Sequence, residues 1–386
     1  MQSVPVRKCA LTAIAATALV FTWMAFVVHY ADGSNWTALF CIGDRTPEPP
    51  ELQHDVYRWP NSGGYDGAFY RTLAHDPWLR RGFAHYVDGP RLRFRRILVP
   101  ALAWTLGGGR DSAIDAGYIA AMLAFVAAGA FWVAEHAAAM GRSALWGLAY
   151  LLLPSTIISI DRMLTDLPLI SLLAGFLWYA RKGSFAALWI LGLLACLTRE
   201  TGVCIVVGYA AWLLTQRLYA RAALMLTAML PLLVWILYVN AHTTAGLSFW
   251  TTYVGPARDL LAAIVHLRTY PVSPAIQVGI QILDKIALAG IVLGFVQAIL
   301  LARRGGPQAF IILAFVAVSA ILTSMNDQFA DVYGYGRLFS PVLLILAWDA
   351  LASRRWLEFA PTLMILGRTL AIPIHETVTA FAHVRL

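Results

Sequence analysis

Long apolar blocks alternate with short polar joints along the chain, and that rhythm predicts helices. Apolar runs occupy residues 9–29, 115–139, 144–159, 164–180, 185–198, 201–216, 222–240, 283–302, 308–324, 338–352 and 357–373. About twenty apolar residues cross the hydrocarbon core as an α-helix, which satisfies its own backbone hydrogen bonds in lipid. The expected fold is an all-α polytopic membrane protein of about eleven transmembrane helices. One further run, Ile97 to Leu106, is too short to span. Pro100 stands near its start and Gly107-Gly108-Gly109 closes it, which predicts a juxtamembrane or re-entrant helix.

The polar positions set the orientation. Arg7 and Lys8 precede the first run, which reads as an uncleaved signal anchor over residues 1–30 with its N-terminus in the cytoplasm. Counting from there, the inner turns carry Arg142, Arg181-Lys182, Arg217 with Arg221, Arg303-Arg304 and Arg354-Arg355, without an acid among them. That alternation follows the positive-inside rule and puts the C-terminus outside. The segment 31–112 becomes a long extracytoplasmic loop with the juxtamembrane helix, and residues 113–386 hold the remaining spans of a single membrane domain. Loop length of this order escapes the rule, so the loop's own arginines do not overturn the orientation. The outer turns hold Asp161-Arg162, Arg199-Glu200, the segment 241–282 and Asn326 to Arg337. The acids and the arginines not needed for topology therefore fall on one face.

Composition agrees with a bilayer setting. Of 386 residues, 60% are hydrophobic and 13% charged, with mean hydropathy +0.67. A soluble domain carries about 25% charged residues. The net charge of +8 does not indicate nucleic acid, because Arg and Lys are spread over loop ends rather than clustered on one face. Cys9, Cys41, Cys196 and Cys204 show neither zinc-ligand spacing nor a disulfide framework.

Within the polar segment, Gly64-Tyr65-Asp66-Gly67-Ala68-Phe69-Tyr70 is the first candidate for chemistry. Glycines let the backbone turn tightly and bring Asp66 close to a substrate. A carboxylate partly buried at a lipid surface is expected to have a raised pKa, suited to a general base. Arg91-Leu92-Arg93-Phe94-Arg95-Arg96 leads into the short helix. Its guanidiniums suit a lipid phosphate and equally suit general head-group contact, with Arg95 and Arg96 the expected phosphate ligands. Asp166 opens an apolar run, where a helix-end carboxylate is expected to face a polar cavity. Arg199-Glu200 breaks another run, as structural glue or as a substrate contact. Arg337 stands at the start of a later span as a phosphate ligand, after Tyr333 and Tyr335, which suit a sugar or an ordinary interfacial position.

Gly64 to Tyr70, Arg93-Phe94-Arg95-Arg96-Ile97-Leu98-Val99-Pro100 and Leu197-Thr198-Arg199-Glu200-Thr201 together resemble the GT-C superfamily of membrane glycosyltransferases. More narrowly they resemble bacterial proteins of cell-surface glycopolymer formation. The resemblance implies a GT-C-like bundle in the inner membrane and an outer-face active site. It also implies inverting transfer from a polyprenyl-phosphate sugar to a glycan or lipid-linked acceptor. Asp66 takes the place of the first-loop acid that activates the acceptor. Tyr65, Arg95, Arg96, Asp166, Arg199, Glu200, Tyr335 and Arg337 are the expected substrate contacts. There is no Asp-x-Asp beside Asp66, so no metal or other cofactor is expected. Two rival readings are a transporter or flippase of lipid-linked sugars and a non-catalytic scaffold of a polysaccharide assembly complex. A transporter shows inverted halves and midplane charge, neither of which is legible here.

Overall fold

The computed structural model describes residues 6–244, 253–266, 268–270, 272–325, 328–329 and 331–384. Parts of the expected outer segment 241–282, and Asn326, lie outside these residues. The structure is all-helical, 77% helix, without strands among the described residues.

Helix α1 (Val6–Tyr30) and helix α5 (Asp111–Ala139) pack along one another. Between them in sequence lie α2 (Asp66–His75), α3 (Pro90–Arg93) and α4 (Leu98–Leu106). The short helix expected at 97–106 is therefore present, closed by the glycine triplet. A 3-10 stretch at Ala144–Leu152 runs into α6 (Pro154–Arg162) with a bend of 62°. Pro154 at the first helical position supplies no N–H, so the ladder restarts there.

The chain continues through α7 (Asp166–Lys182), α8 (Phe185–Thr198), α9 (Val203–Thr215), α10 (Tyr219–Leu226) and α11 (Leu230–His242). After α12 (Arg258–Val265) come α13 (Pro274–Ala302), α14 (Pro307–Leu322), α15 (Val332–Ser353) and α16 (Ala360–Val384). Helix α7 is central: every residue from Asp166 to Trp178 is buried, against α5, α6, α8 and α15. A helix apolar all round demands such a position.

Each predicted apolar run is helical, but not every run is long. Six helices among the described residues are long and apolar enough to cross a membrane, or seven if the bent pair is one span. Helices α8 and α14 have 14 and 16 residues. At 1.5 Å per residue they reach only about 21–24 Å, short of a core of about 30 Å.

The two ends of the bundle differ. At one end, the ends of α6, α8 and α15 meet the segment 31–110, and Asp166 at the start of α7 reaches Arg337 of α15. At the far end, Arg142 lies over Trp356, and Arg304 pairs with Asp349 and, at 2.7 Å, with Glu358. The basic turns thus contain no acid of their own, yet α15 and the 3-10 turn Trp356–Phe359 bring acids to them.

Candidate active site

Two glycines fix where Asp66 stands. Gly64 has φ +75°, and a Cβ there would lie 2.3 Å from Thr46 Oγ1. A Cβ on Gly67 would lie 2.1 Å from the Arg162 carbonyl oxygen and 2.8 Å from that of Phe40. Only glycine lets the first turn of α2 press against the end of α6. Tyr65 caps α2 in extended conformation, its N–H donating to the Cys41 carbonyl at 2.9 Å. Asp66 then opens α2 as Asp166 opens α7. Both carboxylates occupy first turns, where the helix dipole favours negative charge.

Arginines from distant segments close on these acids. Arg93 reaches Asp66 Oδ1 at 2.9 Å, and Arg337 reaches Asp66 Oδ2 at 2.7 Å. The same Arg337 Nη1 lies 3.7 Å from Asp166 Oδ2, and Arg199 pairs with Asp166 Oδ1. Arg199 extends toward Glu200 at 3.9 Å, and Glu200 is gripped on both oxygens by Arg96. Arg96 also donates to the Tyr70 hydroxyl, and Arg93 binds Asp88 at 2.8 and 3.1 Å. One connected chain of alternating charge results: Asp66, Asp88, Asp166 and Glu200 against Arg93, Arg96, Arg199 and Arg337. The Tyr65 ring lies under Arg337 at 5.3 Å and against Tyr333 at 5.6 Å.

Asp66, Tyr65, Arg96, Asp166, Arg199, Glu200 and Arg337 are therefore brought together. The electrostatics differ from the expectation. Burial pushes the Asp66 carboxyl up, but Arg337, then Arg93 and Arg96, outweigh it and hold the group well below the usual carboxylate range. Burial likewise works against the charge of Arg93, yet Asp66 and Tyr70 push its pKa up. The raised Asp66 pKa anticipated from membrane proximity is overturned by these pairings.

Arg95 has no hydrogen-bond or ion-pair partner among the described residues, and its Nε is buried. Tyr335 turns away. Its hydroxyl donates to Asp284 at 3.3 Å, in a separate cluster where Arg368 binds Asp284 at 2.8 Å and Tyr270 donates at 2.7 Å. Arg93 and Tyr70, which stand in the quoted motifs but not among the expected substrate contacts, also belong to the site. Arg93 ends α3 and Arg96 follows in the non-helical link to α4, so no helical spacing announces the pair.

A crevice of only about 10 Å³, room for about one water, lies beside the charged chain. Asp166, Arg199, Arg337 and Thr201 line its polar part, and Phe315, Val318, Leu322 and Leu338 of α14 and α15 its apolar wall. Arg337 Nε and Asp166 Oδ2 are buried without hydrogen-bond partners. Behind α2 a separate polar cavity of about 670 Å³ holds His75, which contacts Asp111 at 2.8 Å and Asp115 at 3.2 Å. No group of three His, Cys, Asp or Glu among the described residues is placed to hold a metal ion.

The fold is that of a helical membrane protein carrying a buried, charged site at one end. No family model, curated protein or solved structure matches the chain.

Proposed function

We propose that the chain is an inverting glycosyltransferase of GT-C type, moving a sugar from a polyprenyl-phosphate donor to a glycan or lipid-linked acceptor. On this reading about eleven segments cross the inner membrane, the N-terminus is cytoplasmic, and the site faces outward. The observation that carries the reading is the meeting of Asp66 and Asp166 with Arg93, Arg199 and Arg337 beside the apolar side chains Phe315, Val318 and Leu322, across a crevice of about 10 Å³ that a donor must widen to enter. A polar head and a lipid tail need both surfaces at once.

In the reaction, an acceptor hydroxyl oxygen bonds to the anomeric carbon as the carbon–oxygen bond to phosphate breaks. Asp66 takes the hydroxyl proton, and the bonding pair leaves on the phosphate. Negative charge grows there, so guanidiniums stabilise the transition state more than the ground state. Arg337, with its unpartnered Nε, and Arg95 are the cations with donors to spare.

The test uses purified protein, a polyprenyl-phosphate sugar and candidate acceptors. Asp66→Asn is expected to lower transfer by about 10²–10⁴-fold, the range for a lost general base. Arg95→Gln is expected to raise the donor KM. Wild-type transfer by Asp66→Asn at equal protein level removes the base assignment. Translocation of the lipid-linked sugar without covalent transfer makes the chain a flippase.

A further inference from the structure

At the end of α15 remote from Arg337, the surface carries a second built feature. An apolar cavity of about 280 Å³ lies between α5, the 3-10 stretch Ala144–Leu152, α15 and α16, lined by Tyr150, Trp348 and Phe359 among others. It opens sideways: Leu363 is 62% exposed, Trp356 45% and Leu152 40%. A second apolar hollow, about 500 Å³, lies on the other side of the same 3-10 stretch, bounded by Leu19 and Leu148. The two share Trp146, Ala149 and Leu152 as a common ridge.

Two polar groups in this apolar region have no partner. The Thr362 hydroxyl lines the first cavity, is buried, and makes no hydrogen bond. Arg142 Nε is also buried and unpartnered, and the guanidinium lies 5.3 Å above the Trp356 ring. Trp356 in turn stacks on Trp146 at 5.5 Å. No carboxylate pairs with Arg142 among the described residues. Buried polar atoms are normally satisfied, and these two find no partner within the protein.

We propose that this is a binding site for one anionic diacyl phospholipid. The two hollows astride a single ridge take two acyl chains. The Arg142 guanidinium takes the phosphate, as planar paired donors do, and Thr362 donates to an ester oxygen. Tryptophans favour the head-group depth, which agrees with the Trp146–Trp356 stack beside the cation. A single-chain polyprenyl lipid would leave one hollow empty. The site is independent of the proposed transfer chemistry, because none of its residues touches the charged chain around Asp66.

The test is native mass spectrometry of the full-length protein, exchanged into detergent containing phosphatidylglycerol, phosphatidylcholine or a polyprenyl phosphate. One phosphatidylglycerol per chain is expected, in preference to phosphatidylcholine. Arg142→Gln is expected to reduce that preference about fivefold, the worth of one basic residue near an anionic head group. Ala347→Trp, which fills the first cavity, is expected to remove the bound lipid while Arg142 stays intact. Circular dichroism and elution volume establish that both variants remain folded. Equal retention of phosphatidylcholine overturns the assignment. So does unchanged preference in Arg142→Gln, or displacement of phosphatidylglycerol by an equimolar polyprenyl phosphate.

Discussion

Replacing Asp66 by Asn removes the centre of the charged chain while keeping its shape. The carboxylate accepts from Arg93 at 2.9 Å and Arg337 at 2.7 Å, and the side chains of Asp66, Arg93 and Arg337 are 15%, 12% and 11% exposed. Removing one partner of a buried pair costs about 3–5 kcal/mol, because the other charge is left uncompensated. Arg93 keeps Asp88 at 2.8 Å, whereas Arg337 keeps only Asp166 at 3.7 Å. The loss therefore falls mainly on Arg337, and the lower edge, about 3 kcal/mol, is expected. Arg337→Met and the double variant complete a cycle, read by denaturant unfolding in mild detergent. A coupling of about 2 kcal/mol is expected, within the range for contacting residues. The pH dependence has a definite sign. Arg337 and Arg93 hold the Asp66 carboxyl below its ordinary value, so its stabilisation is present above about pH 4 and is lost as pH falls further. The gap between wild type and Asp66→Asn should narrow below about pH 4. Additivity within about 0.5 kcal/mol, with a constant gap across that window, refutes the pairing.

Two other changes test the frame of the site. Gly67→Ala places a methyl group 2.1 Å from the Arg162 carbonyl oxygen, a backbone atom, so α2 must withdraw from α6. A loss of about 1–3 kcal/mol in unfolding free energy, as for overpacking, should accompany loss of transfer activity. Asp32, just beyond α1, has its pKa pushed up to about 6, by burial first and then by Asp161, against Arg162. Its charged form is disfavoured in the fold, so its own contribution to stability is most favourable below about pH 4 and falls until about pH 6. Asp32→Asn is expected to raise stability at pH 7 by about 2 kcal/mol and to have no such effect at pH 4.

What the sequence made legible was whatever depends on run length and on which side of a helix end a charge falls. The apolar runs became helices, and Asp66, Asp166, Arg199, Glu200 and Arg337, all charges at run ends or in the polar segment, converge. What it hid depends on register and on distance in space. Tyr333 and Tyr335 both lie in α15, two residues and so about 200° apart around the axis. They must face opposite ways: Tyr333 meets Tyr65, and Tyr335 meets Asp284. No composition argument separates them. Asp284 and Arg368 each read as a single charge in an apolar run, yet they bind at 2.8 Å across 84 residues. Asp66 looked like a base with a raised pKa because nothing local shows that Arg337, 271 residues on, rests against it.

That last pairing shapes the proposed reaction. A carboxylate gripped by two guanidiniums is a weak base, and the four acids of the chain already balance its four arginines. An arriving phosphate adds at least one negative charge to a neutral network. It can be accommodated if Arg337 transfers from Asp66 to the phosphate, and the exchange does two things. It places a cation where the leaving group develops charge, and it removes the neighbour that most depresses the Asp66 pKa. The base is then weak in the empty site and stronger beside bound donor. The remaining excess charge falls to Arg95, the arginine of the 91–96 run that has no partner among the described residues. On the proposed reading, donor binding and base activation become one step, and Arg337 is the side chain that links them.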